Sequence, residues 1–489
     1  MDIIIWVIIL PLILAFLLGI IKIFNNKKVF YWLVITGTLF YTYLLVYIIR
    51  NGGQAVVYSV GNWGLLGINI ILDAFSLLML LIMAFLPLLV IIFSLKYMQK
   101  NVMKYFVLTF LLMAGIAGMV LTADLFNLYV FLEITSISSV ALVAVKKTDN
   151  AIEGSFKYLI LGTFGSFFIL LATILTYQVT GTLNMAEIAV EYRNISPFLR
   201  NVFMIFFIFG FGLKIGLVPL HTWLPDAYVG SPIPYNVLSS GLVMKSAMYA
   251  LIRILYILFG LEFLLESGIL AFGVFWGVIT FLIAHTIAYQ QTNLRKLLGY
   301  SSIAQIGYIT VGLFLGTAGG IIGGNFHILN HAIMKGALFL VVGVFYYSIG
   351  SREIEDVEGL GYVYPGLSFV FTVAALAIVG LPPFNGFVSK WLIIEAAIEA
   401  DYFTAAFFIP VGTFLSLTYY LKIIINLYTK SDKNIISRKP DWTLKSPAII
   451  LGALCILFGL WPSLPLRLIN HIPEMLLENS NYIRILLGG

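Results

Sequence analysis

A chain of 489 residues would ordinarily hold about three soluble domains, but 61% hydrophobic residues, 10% charged residues and a mean hydropathy of +1.03 exclude that and define a polytopic membrane protein. The net charge of +6 does not imply nucleic acid, because basic residues gather in cytoplasmic loops of such proteins. The single cysteine, Cys455, lies in an apolar run and excludes an internal disulfide or a four-cysteine iron–sulfur or zinc site, so no redox centre is expected in the chain itself; nor is a cofactor or a hydrolytic site expected.

About 20 apolar residues at 1.5 Å rise cross a hydrocarbon core of ~30 Å. The hydropathy pattern predicts an all-α fold of about fourteen transmembrane helices, near 3–21, 29–49, 70–94, 104–122, 125–145, 156–178, 198–219, 236–258, 267–289, 297–316, 321–348, 365–392, 403–428 and 446–465. The first run, MDIIIWVIILPLILAFLLGIIKIF, has no basic leader or small-residue cleavage site and reads as a retained helix. Residues 50–69 alternate around Gly and Asn and predict a small hairpin. Residues 181–197 read as an interfacial helix with a stop at Pro197. The acidic stretch SREIEDVEGL, Ser351 to Leu360, is a solvated loop or a docking surface for a neighbouring subunit.

Alternate connections differ strongly in Lys and Arg content. One side collects Lys22, Lys27, Lys28, Lys96, Lys100, Lys104, Lys146, Lys147, Lys157, Arg295, Lys296, Arg352, Lys430, Lys433, Arg438, Lys439 and Lys445; the other collects Arg50, Arg193, Arg200, Arg253, Arg467 and Arg484. The first side is therefore expected to be cytoplasmic, with both termini outside. Lys422, near a helix end, reads as snorkelling to the interface.

The remaining charges fall inside the spans, where a charged side chain costs roughly 2.5–3.5 kcal/mol on insertion scales. Glu133, in DLFNLYVFLEITSISSV, is near the middle of the fifth span, and a neighbouring lysine would hold it ionised. Lys214, in GLKIGLVPLHTWLPDAY, is followed by Pro219, which breaks or kinks a helix; ion transport and snorkelling both account for this lysine taken alone. Lys245 sits mid-span among small residues and cannot easily reach an interface. His285 lies near the basic end of the ninth span, as a proton-uptake group or an interfacial histidine. Tyr300, Ser301, Ser302 and Gln305 make the start of the tenth span polar.

His327, His331 and Lys335 recur every fourth residue and share one helix face, which suits a hydrogen-bonded relay. The two histidines lack the HExxH glutamate and a third ligand, so no metal is expected. Lys390 follows the break at GLPP, where Pro382 and Pro383 leave carbonyls that water or side chains must satisfy. The pairing of Lys214 and Pro219 with Lys390 and GLPP, five spans apart, is a loose inverted echo.

The motifs DLFNLYVFLE, GLKIGLVPLHTWLPDAY, GLVMKSAMYALIR, QQTNLRKLLGYSSIAQIGY, HILNHAIMKGALFL and GLPPFNGFVSKW, in this order, resemble the proton-translocating, antiporter-like subunits of respiratory complex I, membrane-bound hydrogenases and Mrp sodium/proton antiporters. The resemblance implies N-terminal helices in 1–103, inverted five-helix repeats in 104–260 and 261–430, and a C-terminal helix and tail in 431–489. It further implies that Glu133 pairs with Lys214, that Lys245 passes the proton onward, that His327 and His331 continue the line and that Lys390 ends it. Lysine at that last position, and a chain ending soon after the final span, resemble the Mrp D-type subunit, or its counterpart in membrane-bound hydrogenases, more than the glutamate-bearing or extended types. The implied partners are other integral membrane subunits, protons, sodium and lipid, in the cell membrane of a prokaryote. Two functional classes stay open: a cation/proton antiporter subunit, or the pumping module of a redox complex whose electron carriers are other chains; a bland membrane scaffold is the third.

Overall fold

Where no water can satisfy backbone groups, long apolar runs fold as helices. The structure, a computed structural model, describes residues 3–23, 26–52, 55–61, 67–430 and 439–487. Lys433 and Arg438, the chain termini and parts of the expected hairpin lie outside the described residues.

The first helices are α1 (Trp6–Ile23), α2 (Lys27–Asn51), α3 (Ala74–Tyr97), α4 (Val102–Leu121), α5 (Leu125–Ala144) and α6 (Asp149–Thr180), followed by the short α7 (Met185–Glu191). Then come α8 (Pro197–Ile215), α9 (Trp223–Gly230), α10 (Ile233–Glu266), α11 (Ile269–Tyr289), α12 (Leu294–Phe314) and α13 (Ala318–Ile349). The remainder is α14 (Pro365–Val379), α15 (Asn385–Glu399), α16 (Phe403–Tyr428), α17 (Trp442–Leu460), α18 (Ser463–Ile469), α19 (Ile472–Leu476) and α20 (Asn479–Leu487). Among the described residues, 12 helices are long and apolar enough to cross a membrane, beside the shorter apolar helices Trp6–Ile21 and Pro365–Val379. The most apolar part of α13 is wholly buried, which makes this histidine-bearing helix the centre of the bundle.

Two expected spans are not single helices. The run 198–219 ends as a helix at Ile215, and 365–392 divides into α14 and α15. Pro219, Pro382 and Pro383 lie in these gaps, and the helix before each gap ends at a glycine in the left-handed region: Gly216 at φ +80° and Gly380 at φ +94°. Their amides bond back to Gly212 and Leu376, and the prolines beyond them prevent a restart. The third span also starts later than expected. Ile68–Leu72 is a strand, β2, paired antiparallel with β1, Val56–Val60, and α3 begins only after Asp73.

Connections gather at two ends. The hairpin, the α4–α5 turn and the α6–α7 connection meet through the bridges Ile70 to Thr122 and Asp124 to Asn184. At the opposite end, the acidic loop is tied to the start of α12, with Leu294 N–H donating to Arg352 O and Ile354 N–H to Thr292 O, both at 2.9 Å.

Arg253 and Arg295, counted from the sequence on opposite sides of the bundle, are both fully buried. Arg253 on α10 donates both Nη groups to Asp73 at 2.8 Å, while Asp73 also caps α3 through Ser76 N–H at 2.8 Å. One carboxylate thus fixes a helix start and neutralises a guanidinium from another helix. Removing one partner of a buried pair costs about 3–5 kcal/mol. Asp73→Asn, which keeps a capping oxygen but not the charge, is expected to lower the unfolding midpoint of the detergent-purified protein markedly; an unchanged midpoint would contradict this structural role.

Candidate functional site

Three clusters of ionisable groups occupy the interior. The first joins α5, α6 and α8. Lys214 Nζ lies 3.7 Å from Glu133 Oε1 and donates to Ser136 Oγ at 2.6 Å, and Ser166 Oγ donates to the same Glu133 oxygen. Lys214 is almost wholly buried while the Glu133 side chain keeps 29% of its exposure, so the pair is contacted by its surroundings through the carboxylate. A cavity of about 30 Å³ beside it, lined by Glu133, Ser136, Tyr158, Gly162, Ser166 and Lys214, is the size of one water molecule. Just beyond, the carbonyls released at the end of α8 are taken by indoles: Trp223 Nε1 donates to Leu213 O at 2.9 Å, and Trp276 Nε1 donates to Val218 O.

The second cluster is Lys245 with His331, in hydrogen-bond contact through Nζ and Nδ1. Lys245 follows a π-helical turn, Ser239–Val243, a geometry that recurs at functional positions. Tyr158 lines the first cavity, and Tyr228 Oη donates to Met244 Sδ, next to Lys245.

The third cluster surrounds His327, His285 and Lys390. His327 Nε2 meets Gln305 Oε1 at 2.9 Å and Nδ1 meets Ser389 Oγ at 2.8 Å. A neutral ring donating to Gln305 accepts from Ser389. A charged ring donates to both, and the Ser389 hydroxyl then turns to the Gly386 or Asn385 carbonyl, 3.3 and 3.4 Å away. The site therefore serves both protonation states without moving a helix.

Lys390 Nζ reaches back to Val379 O at 2.8 Å and Ile378 O at 3.2 Å, and stands 4.4 Å above the Tyr308 ring. The carbonyls freed by the second break are thus held by the lysine itself. Tyr308 also touches the His327 ring and binds His285 Nε2 at 3.1 Å, while Tyr419 binds His285 Nδ1 at 3.0 Å. His285 has no exposed surface, which excludes the interfacial reading. Lys335 bonds to neither histidine; its Nζ donates to Leu298 O at 2.9 Å and contacts Tyr420 Oη at 3.4 Å, forming a branch through Ser301 toward the basic end.

Sequence reasoning does not find Ser136, Ser166, Tyr308, Tyr419, Ser389 or the Asp73–Arg253 pair. Ser136 one turn after Glu133, and Ser389 beside Lys390, carry a usable signal; tyrosines inside apolar runs carry none. Among the described residues, no group of three His, Cys, Asp or Glu is arranged to hold a metal.

These features define a polytopic helical membrane protein whose interior strings proton-exchangeable side chains between two broken helices. Residues 122–416 match the family model described as NADH:quinone oxidoreductase/Mrp antiporter, TM, and residues 63–106 match that of NADH-Ubiquinone oxidoreductase (complex I), chain 5 N-terminus. The chain belongs to this NADH:quinone oxidoreductase/Mrp antiporter membrane family. It is 30% identical over 497 residues to the D-type subunit of the Na(+)/H(+) antiporter of Alkalihalophilus pseudofirmus, covering 98% of this chain and 99% of the relative. Its fold matches a chain of the membrane-bound sulfane sulfur reductase, an archaeal respiratory membrane complex, with TM-score 0.93, 34% identity and coverage of 99% and 100%. It also matches a chain of the Mrp complex from Dietzia sp. with TM-score 0.91 and 26% identity, covering 100% of both chains.

At Gly380 an added Cβ would meet Lys390 Cδ at 2.9 Å in a backbone region costly for other residues. Gly380→Ala is expected to displace Lys390 from its carbonyls and destabilise the protein by about 1–3 kcal/mol, read as a lowered unfolding midpoint. An unchanged midpoint would show that Lys390 is not anchored there.

Proposed function

We propose that this chain is a proton-translocating subunit of a multisubunit cation/proton antiporter, with sodium as the exchanged cation, in the cell membrane of a prokaryote. The basic end faces the cytoplasm and both termini lie outside. Protons move along Glu133, Lys214, Lys245, His331, His327 and Lys390, with Lys335 and His285 as branches toward the basic end. The halves 104–260 and 261–430 form inverted repeats, a reading supported by the matching glycine-and-proline breaks.

The observation that carries this reading is the Lys245–His331 contact in a wholly buried setting. Two basic groups in contact, with no carboxylate bonded to either among the described residues, repel when both are charged, so the pair favours a single shared proton. Adding or removing that proton changes the field at neighbouring groups. Two opposite charges about 4 Å apart interact by about 4 kcal/mol at an effective dielectric of about 20, roughly three pKa units. Opening or closing the Glu133–Lys214 pair therefore shifts proton affinity along the line without large helix motion.

A second reading is supported by the 34% identity to the sulfane sulfur reductase chain: the same line acts as a pump driven by electron transfer in other subunits. Purifying the native complex in mild detergent separates the two. Partners without iron–sulfur absorbance support the antiporter, and redox subunits overturn it in favour of the pump. Under either reading, Glu133→Gln and Lys214→Met are expected to abolish proton flux in proteoliposomes while the complex still assembles. Undiminished flux in either variant would contradict a role for this pair.

A further inference from the structure

Outside the buried line, the basic end holds a cavity of about 430 Å³ between the ends of α3, α5 and α13. Its lining includes Tyr97, Lys100, Lys146, Thr148, Tyr346 and Arg352, and among the described residues no acidic side chain. Three cations crowd one ring of this wall: Arg295 Cζ lies 4.5 Å, Arg352 Cζ 5.1 Å and Lys146 Nζ 6.0 Å from the Tyr346 centroid. None of the three forms an ion pair among the described residues. They are held by neutral acceptors: Lys146 by Ser231 O at 3.0 Å, Arg295 by Ser231 O and Val229 O at 3.3 and 3.4 Å, and Arg352 by Val229 O at 3.5 Å. The Arg295 Nε is buried and unbonded.

Such a cluster is costly as it stands. Burial, Arg295 and Arg352 together hold the Lys146 ammonium down to about 6. Two helix starts add to the positive character. The N-cap residues of α4 and α6, Asn101 and Thr148, line the cavity, and neither side chain caps its helix. Both helix starts thus keep backbone N–H groups for an anion.

We infer that this cavity binds a phosphate group, and that the phosphate belongs to the headgroup of an anionic phospholipid. The position favours lipid over a soluble source, because the site lies where transmembrane helices end and tyrosines Tyr97, Tyr346 and Tyr347 border it, as at a membrane interface. Basic pockets between helices on a cytoplasmic face bind acidic headgroups in the same way. The phosphate supplies the counter-charge that the three cations lack, and Lys146 takes up a proton as it binds. This site is independent of how the buried line is energised.

The test uses the intact purified complex, stripped of lipid in detergent, with the unfolding midpoint read after adding phosphatidylglycerol, phosphatidylcholine or inorganic phosphate. Phosphatidylglycerol is expected to raise the midpoint of the unaltered complex and of a Lys422→Gln control, and the K146Q/R352Q double variant is expected to lose at least half of that shift. An equal shift in the double variant would overturn the site. Stabilisation by inorganic phosphate alone would overturn the lipid source. Loss of a neighbouring subunit from the double variant, with its lipid response intact, would overturn the proposal in favour of an acidic partner surface. Should the double variant fail to assemble, K146Q alone carries the comparison, with a clearly reduced shift expected and an unchanged one contradicting the site.

Discussion

A cation taken into hydrocarbon must find a counter-charge or a full set of acceptors, and the irregular parts of this protein follow from that requirement. Four solutions coexist. Arg253 takes a bidentate carboxylate, Lys214 shares a partly exposed one, Lys245 leans on a histidine, and Lys390 is held by carbonyls that a broken helix cannot use itself. Each goes with irregular local structure: a capped helix start at Asp73, glycine-terminated half-helices at Lys214 and before Lys390, and a π-helical turn before Lys245.

The same comparison separates what is fixed from what can exchange. A guanidinium does not give up its proton in a protein, so Arg253 and Asp73 lock two helices together. Lysine and histidine do exchange protons, and their partners here tolerate it. Ser389 can donate to His327 or accept from it, and the tyrosine hydroxyls on His285 can do the same. The apolar frame is therefore rigid around groups whose hydrogen bonds reverse by rotating a hydroxyl.

Much of this is legible in the sequence because charge inside an apolar run is conspicuous. Glu133, Lys214, Lys245, His327, His331 and Lys390 stand out on that ground, and the structure buries every one of these lysines and histidines. The breaks are legible through their prolines, while the left-handed glycines Gly216 and Gly380 that end the preceding helices are not singled out by the pattern. The burial of Arg253 and Arg295 is not legible, because only tertiary packing brings Asp73 beneath one and Tyr346 beside the other. The tyrosines that bind His285 are invisible, since Tyr is common in membrane spans and the partner, such as Tyr419 for His285, lies far away in sequence.

The proposed route takes protons across this chain through its buried basic groups, and the Lys245–His331 contact is where the two halves of the line meet. The most direct measurement is proton flux, followed with an internal pH dye, in proteoliposomes carrying the native complex or its Lys245→Gln variant. Lys245→Gln is expected to assemble with all its partners and to conduct no coupled protons. Flux equal to that of the unaltered complex would show that the line is structural and that the protons travel elsewhere.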